Sequence, residues 1–131
     1  MNKALFWDFD GTLVHPNQSF FNALLTTLKE CNYDVPAEDI KEVLQAACPW
    51  HHFDIAYPDK TGELWWESLF EKLDMFLGNH DIAKEDFSKI KVRFKEKVID
   101  HKNYVLYDDA KAVLAECMEK GYKNYIISNN F

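Results

Sequence analysis

Phe6-Trp7-Asp8-Phe9-Asp10-Gly11-Thr12-Leu13 is the stretch that decides the fold of this 131-residue chain. The run from Lys3 to Trp7 is largely apolar, too short for a typical helix and closed by Asp and Gly, which predicts a strand buried on both faces. Asp8 then lies at the carboxyl end of that strand. Gly11 permits a bend, so the carboxylates of Asp8 and Asp10 can point in different directions and take different roles.

A second short apolar run, Tyr125-Ile126-Ile127, ends in Ser128-Asn129-Asn130 and predicts a second buried strand. Apolar residues at helical spacing from Ala110 to Met118, stopped by Gly121, predict a helix directly before it. Two strands joined through a helix are expected to run parallel. Ligands bind at the carboxyl edge of such sheets. The pattern therefore predicts that the two carboxylates lie near Ser128.

Four amphipathic helices are predicted between these strands, because apolar residues recur at three- and four-residue spacing. Pro49 to Pro58 is predicted to be a loop rich in His and aromatic residues. Cys48, His51 and His52 could form a zinc site, but a loop is the simpler interpretation because no partner group follows. The four helices are expected at Ser19 to Cys31, from Pro36 up to Pro49, from Thr61 to Gly78 and at about Ala83 to Val98.

The composition excludes several classes of function. Fifteen Lys and Arg against 22 Asp and Glu give a net charge of -7, which makes nucleic acid or an anionic membrane surface an improbable main partner. No apolar stretch approaches the roughly 20 residues that span a bilayer, and no signal-peptide layout is visible. We therefore expect a cytoplasmic protein. Cys31, Cys48 and Cys117 are expected to be free thiols.

The residue types at the predicted sheet edge are those of phosphoryl chemistry. One carboxylate could attack a phosphoryl group while the other donates and then removes a proton. Crowded carboxylates also attract Mg²⁺, which would neutralise their repulsion and draw charge off the phosphoryl oxygens. Ser128 and the backbone amides around it could hold the remaining phosphate oxygens.

These residues also resemble a known family. Asp8-Phe9-Asp10-Gly11-Thr12-Leu13 is similar to the first signature of the haloacid dehalogenase-like hydrolase superfamily, and Ile126-Ile127-Ser128-Asn129 is similar to its second. The resemblance implies that Asp8 is the phosphorylated nucleophile and Asp10 the general acid and base. It also implies that Mg²⁺ contacts the Asp8 carboxylate and the Asp10 main-chain carbonyl. The residues expected to bind phosphate are Ser128, Asn129, Gly11 and Thr12.

The resemblance implies an α/β fold with a Rossmann-like parallel-sheet core and an inserted α-helical cap. The core is expected at 1–15 and 102–131, with its first two strands present, and the cap at 16–101. The family's third signature, a Lys or Arg, and its fourth, an acidic pair, are not located. Asp108-Asp109 is better explained as a helix cap. We expect a chain that ends after the second signature, with apolar flanks of the sheet uncovered.

Asp10 favours phosphatase over dehalogenase chemistry, because true dehalogenases of the family lack an Asp there. The leading hypothesis is a Mg²⁺-dependent phosphoric monoester hydrolase of a small phosphorylated metabolite, inactive as this truncated chain. The alternative is a non-catalytic fragment or partner-binding module of the same fold. The basic run from Lys89 to Lys97 is expected to be a solvated helix face, although it could attract phosphorylated substrates. The substrate and the oligomeric state stay open.

Overall fold

The computed structural model describes residues 3–48 and 62–128. Among these residues no helix combines the length and the apolar character needed to cross a membrane. A short 3-10 helix at His101–Asn103 precedes the third strand. In chain order, the strands and α-helices are β1 (Lys3–Trp7), β2 (Val14–Pro16), α1 (Phe20–Glu30), α2 (Ala37–Ala47), α3 (Glu63–Asn79), α4 (Lys84–Ile99), β3 (Tyr104–Leu106), α5 (Ala110–Glu119) and β4 (Tyr122–Ile126).

The elements group into two units. The described parts of the first, which we call the sheet unit, are 3–17 and 100–128; those of the second, the helical unit, are 18–48 and 62–99. The helical unit is inserted between β2 and β3 in the chain. The result is the expected α/β architecture, a Rossmann-like parallel pair of strands with an inserted α-helical domain.

Strands β1 and β4 are parallel neighbours, and α5, which precedes β4 in the chain, packs against it. Their register pairs Lys3 with Tyr122 at one end and Trp7 with Ile126 at the other. Parallel pairing through a helix was the prediction from the two apolar runs, and it is confirmed.

The predicted burial of these strands on both faces is wrong. Phe6 is 64% exposed and Ile126 60% exposed, whereas Leu5 and Trp7 on the alternate positions of β1 are half-buried. A parallel strand is buried on both faces only where a layer packs on each. Among the described residues α5 covers one face of the pair, and Phe6 and Tyr125 stack on each other at 5.6 Å on the other. The prediction that apolar flanks of the sheet are uncovered is confirmed.

A second, antiparallel pair of strands, β2 and β3, has no counterpart in the sequence prediction. Val14 pairs with Leu106 and Pro16 with Tyr104. Each strand has three residues, which is too short for alternation to show, and a proline ordinarily argues against a strand. Buried Leu13, Val14 and Ala110 form a small core beside this pair, with Trp7, Phe9, Tyr104 and Leu114 packed against it.

The helical unit has its own larger core. Helix α1 packs against α2 and α4, and α3 packs against α2 and α4. The apolar faces predicted from helical spacing are confirmed in α1, α2 and most of α3, but Leu64 in the first turn of α3 is 55% exposed. An aromatic cluster joins α1, α3 and α4 through ring contacts of Phe20 with Trp65, Trp66 and Phe94.

Helix ends in this unit follow from local chemistry. Ser19 caps α1 by accepting a hydrogen bond from the Asn22 amide at 3.3 Å. Asn32, just beyond α1, has a left-handed conformation with φ of 65°, which is common at the C-terminal end of a helix. Pro36 stands at the N-cap of α2. Helix α3 begins at Glu63 after Gly62, close to its predicted start. Thr61, the predicted first position, and the loop with His51 and His52 lie outside the described residues.

The lysines of α4 are largely engaged in ion pairs with other elements, so the prediction of a solvated basic face is wrong for three of them. Lys91 pairs with Asp74 at 2.7 Å and Lys95 with Glu63 at 2.6 Å, both on α3, and Lys97 pairs with Glu30 of α1 at 2.9 Å. Two of these lysines also lie over aromatic rings, Lys91 over Phe70 and Lys95 over Trp66, with Nζ 5.7 and 5.4 Å from the ring centroids. Lysines with acidic partners are poorly placed to attract a phosphorylated substrate.

Candidate functional site

The candidate site begins where β1 ends. Asp8 is the first residue after the strand, and Asp8 and Asp10 are both exposed. Beyond them the chain folds back sharply: the amides of Leu13 and Val14 donate to the Phe9 carbonyl at 3.0 and 3.1 Å. Gly11 has a φ of 76°, in the left-handed region that glycine adopts readily. The bend predicted at Gly11 is confirmed.

The carboxylates of Asp8 and Asp10 interact electrostatically. Asp8 Oδ1 accepts a hydrogen bond from the Phe9 amide at 2.8 Å, which holds this carboxylate against the turn. Partial burial raises the pKa of Asp10 above its ordinary value of 3.8, and the negative charge of Asp8 raises it further. The pair therefore concentrates negative charge at the end of β1, where a cation or a proton lowers the repulsion.

Ser128 reaches the same edge from the second strand. The Ile127 amide donates to the Trp7 carbonyl at 2.9 Å, which extends the β1–β4 ladder to the residue directly before Asp8. The next residue of each chain segment therefore leaves the sheet at its carboxyl edge. The structure brings Asp8 and Ser128 to one edge, as the parallel arrangement predicted.

The other three residues predicted to bind phosphate are Gly11, Thr12 and Asn129. Gly11 and Thr12 lie exposed in the turn that follows Asp10, but the Gly11 amide donates to the Val14 carbonyl at 2.8 Å and is therefore engaged within the turn. Asn129 lies outside the described residues, and its assignment stays a prediction.

One further polar side chain, which was not predicted from the sequence, makes hydrogen bonds next to this edge. Asn124, half-buried in the middle of β4, accepts a hydrogen bond from the Trp7 indole at 3.0 Å and donates one to the Leu114 carbonyl at 3.1 Å. Asparagine is depleted in strands, so its presence in this short run was the signal that the sequence contained. A half-buried amide in a strand needs hydrogen-bond partners for both its oxygen and its nitrogen.

The donor set at the edge fits Mg²⁺. Carboxylate and main-chain oxygens are its preferred ligands, and Mg²⁺ is commonly held by one or two carboxylates together with water and substrate phosphate. Asp8 and Asp10 supply two carboxylates whose mutual repulsion appears in the raised pKa of Asp10. In residues 3–48 and 62–128 no cluster of three or more His, Cys, Asp or Glu side chains is arranged to hold a metal. The described part of the chain thus brings two carboxylates, Asp8 and Asp10, to the end of β1.

The acidic pair before α5 does not join this set. Asp109 occupies the N-cap position of α5, but its side chain makes no capping hydrogen bond. Its φ and ψ of -88° and -20° are helical, whereas a capping side chain usually needs an extended residue. The capping part of the earlier interpretation is therefore wrong for Asp109, and the favourable interaction of acidic residues with a helix N-terminus is the explanation that remains.

Comparison with known proteins agrees with this geometry. The family model described as "Hydrolase: haloacid dehalogenase-like hydrolase" matches residues 2–131. No curated protein matches the sequence closely enough to count as a relative.

Two solved structures are similar in fold. One, described as a predicted phosphoglycolate phosphatase from Haemophilus somnus 129PT, is 16% identical with a TM-score of 0.50, over 97% of this chain and 51% of its own. The other, described as a dehalogenase, is 20% identical with a TM-score of 0.47, over 99% of this chain and 52% of its own. The chain thus spans about half the length of these structures.

Proposed function

Because the chain belongs to the haloacid dehalogenase-like hydrolase family, we propose that the carboxyl edge of its sheet carries the phosphoryl-transfer residues of a phosphoric monoester hydrolase. The observation that carries the proposal is the hydrogen bond from the Ile127 amide to the Trp7 carbonyl, which puts the Asp8–Asp10 turn and Ser128 at one edge. The substrate class is a small phosphorylated metabolite.

In the proposed reaction Asp8 attacks the phosphorus atom, the bond from phosphorus to the leaving oxygen breaks, and the phosphoryl group is carried on the Asp8 carboxylate. Asp10 donates its proton to the leaving oxygen. It then accepts a proton from the water that hydrolyses the aspartyl phosphate. The raised pKa of Asp10 favours the protonated form that the first step needs, and its largest cause is partial burial.

The phosphate oxygens would be held by main-chain and hydroxyl donors. Ser128 offers a hydroxyl just beyond the end of β4, and Thr12 offers a backbone amide in the turn beside the nucleophile; the Gly11 amide would first have to leave the Val14 carbonyl, to which it donates at 2.8 Å. Donors of this kind stabilise the charge that develops on the phosphoryl oxygens in the transition state. The Asp8 carboxylate and the Asp10 main-chain carbonyl would hold Mg²⁺, which supplies charge neutralisation of the phosphoryl group when bound, and the Asp10 carboxyl would stay available for proton transfer.

The proposal includes a limit on these 131 residues by themselves. The third and fourth signatures of the family, a basic residue and an acidic pair, are not located in the sequence, and phosphoryl transfer depends on such electrostatic positioning. We therefore propose that the 131-residue chain alone hydrolyses p-nitrophenyl phosphate no faster than buffer, and that activity needs a core that supplies both groups.

Two measurements test the proposal. In a protein that carries these residues within a complete core, we expect Mg²⁺-dependent hydrolysis of p-nitrophenyl phosphate that Asp8→Asn reduces by about 1,000-fold or more, as losses of catalytic nucleophiles do. Asp109→Asn is the matched control and should retain the rate. Full activity of Asp8→Asn would remove Asp8 as the nucleophile.

The second measurement uses the 131-residue chain. Titration with Mg²⁺ and inorganic phosphate, followed by NMR, should shift the amide signals of the turn from Asp8 to Thr12 and of Ser128. No shift at these positions, together with specific binding of another protein, would favour the alternative of a non-catalytic binding module. Robust turnover by the 131-residue chain would contradict the proposed limit.

A further inference from the structure

Asn124 is a half-buried polar residue in the middle of β4, and the proposed reaction does not use it. It pairs in register with Leu5 of β1, so it lies within the ladder and two residues before the last paired position of β4. Its side chain is half-buried on the face of the sheet that carries α5. An amide in such a place costs free energy unless both of its ends are hydrogen-bonded.

Both ends are bonded, and to different elements. The Oδ1 atom accepts from the Trp7 indole of β1 at 3.0 Å, and the Nδ2 atom donates to the Leu114 carbonyl of α5 at 3.1 Å. One side chain therefore joins β1, β4 and α5. Trp7 and Asn124 are 117 positions apart in the chain, so the link depends on the folded sheet.

Trp7 is the last residue of β1 and the immediate neighbour of Asp8. Its carbonyl accepts from the Ile127 amide at 2.9 Å, and its indole donates to Asn124, so both its main chain and its side chain are held. On the other side of Asp8, the Phe9 ring packs against Tyr104 with ring centroids 5.7 Å apart. Asp8 is thus an exposed residue between two anchored aromatic residues.

We propose that Asn124 is a positioning residue for Asp8: its amide fixes the Trp7 side chain, and Trp7 sets the direction in which the Asp8 carboxylate leaves the sheet. The inference rests on the proposed function for its catalytic meaning, because Asp8 is there the nucleophile. Small errors in the placement of a nucleophile reduce rate strongly, since the attacking atom must approach phosphorus in a narrow range of geometries. The hydrogen bond from the Phe9 amide to Asp8 Oδ1 reports on that placement directly.

The test follows the Phe9 amide proton by NMR, since a bond to a carboxylate moves such a signal downfield. Asp8→Ala defines the position of this signal without the bond. Asn124→Leu removes both amide bonds and should move the Phe9 signal most of the way to the Asp8→Ala position, and the Trp7 indole proton should exchange faster with solvent. Trp7→Phe, which keeps an aromatic ring but removes the indole N–H together with part of the ring volume, should do the same to Phe9; the Leu114→Ala control accounts for the loss of packing alone.

Leu114→Ala is the matched control, because it loses apolar packing in the same small core but keeps the carbonyl that Asn124 contacts. It should lower stability and leave the Phe9 signal in place. Asn124→Asp retains an acceptor for the indole and should keep the signal near its original position. A Phe9 signal that is unchanged in both Asn124→Leu and Trp7→Phe, or that moves equally in Leu114→Ala, would overturn the positioning role.

The same variants separate this inference from the proposed function. In a protein with a complete core, Asn124→Leu should lower kcat for p-nitrophenyl phosphate about 10-fold or more with little change in KM, because misplacement of the nucleophile affects the transition state more than binding. If Asp8→Asn keeps the full rate while Asn124→Leu still moves the Phe9 signal, the phosphatase function fails and the positioning of Asp8 stands.

Discussion

The Tyr33 hydroxyl donates a hydrogen bond of 2.7 Å to Asp86 Oδ2, which joins the segment between α1 and α2 to the first turn of α4. The Ala83 amide donates in turn to the Tyr33 oxygen at 3.3 Å. Tyr33 therefore satisfies a donor at the start of α4 and is held there by a carboxylate of the same turn. The hydroxyl acts as a cap supplied from another part of the chain.

This contact predicts a pH dependence in alkali. The hydrogen bond to Asp86 raises the pKa of Tyr33 above 10.0, so the folded chain keeps this proton longer than the unfolded chain does. The contribution to stability is complete below pH 10 and is lost as pH rises from there through the raised pKa. Urea unfolding between pH 9 and 11.5 should show a steeper loss for the original chain than for Tyr33→Phe. Equal slopes would contradict the prediction.

A second prediction concerns the two carboxylates of the site. Burial is the larger cause of the raised pKa of Asp10 and the charge of Asp8 the smaller. Asp8→Asn should therefore lower the pKa of Asp10 but leave it above 3.8. The side-chain carboxyl signal, followed by NMR in metal-free buffer, measures this directly.

The sign of the accompanying stability change follows from linkage. The folded chain binds the Asp10 proton more tightly than the unfolded chain, so Asp10 destabilises the fold as pH rises from 3.8 through the raised pKa. Asp8→Asn should make this loss smaller. Asp109→Asn is the control and should leave the pKa of Asp10 unchanged; an effect as large as that of Asp8→Asn would show that Asp8 is not the interacting charge.

The core of the helical unit contains a hydroxyl whose removal should stabilise the protein. Thr27 is fully buried in α1, and its Oγ1 atom has no hydrogen-bond partner among the residues that the structure describes. An unsatisfied buried hydroxyl costs about 1–3 kcal/mol, and valine has nearly the same shape. Thr27→Val should therefore raise the free energy of unfolding by about 1 kcal/mol. Urea denaturation measures the change.

The neighbouring residue provides the control. Thr26 Oγ1 donates to the Asn22 carbonyl at 2.7 Å and accepts from Gln18 at 3.0 Å, so its hydroxyl is satisfied. Thr26→Val has the same change of shape and should lower the free energy of unfolding by about 1 kcal/mol. If both substitutions changed stability in the same direction, the missing partner of Thr27 would not be the cause.

The three cysteines should differ in reactivity. Burial raises the pKa of the Cys48 thiol to about 12, with the nearby Lys72 opposing this effect, so its thiolate is scarce at neutral pH. Cys31 is also buried, whereas Cys117 is partly exposed. Alkylation with iodoacetamide at pH 8, followed by mass spectrometry, should label Cys117 first, and labelling of Cys48 should need unfolding. Rapid labelling of Cys48 in the folded chain would refute the assignment.

Most structural features that depend on local sequence patterns were predicted correctly. Helical spacing located α1 to α5, and two short apolar runs separated by a helix were enough to predict the parallel pairing of β1 with β4. The edge site followed from that pairing, because parallel strands must end on the same side. Gly121, which has a positive φ, was recognised as a helix terminator by residue type alone.

The errors concern features that depend on distant partners. Strands β2 and β3 have three residues each and form because Leu13 and Val14 are buried beside them, which no local pattern shows. Phe6 and Ile126 are apolar, yet exposed, because burial requires a covering layer and not only an apolar residue. The role of Asn124 depends on Trp7, far away in the chain, so the sequence showed only an unexplained amide in a strand.

The insertion of α1 to α4 between β2 and β3 has a consequence for the order of folding. The helical unit is one continuous segment rich in local contacts, so it can form as soon as it has been synthesised. Strand β1 is made first but finds its partner only when β4 has left the ribosome, because Trp7 pairs with Ile126. Prior folding of the helices reduces the chain entropy lost when β1 and β4 meet. During that interval the apolar side chains of β1 that are half-buried in the folded sheet, Leu5 and Trp7, are available to chaperones.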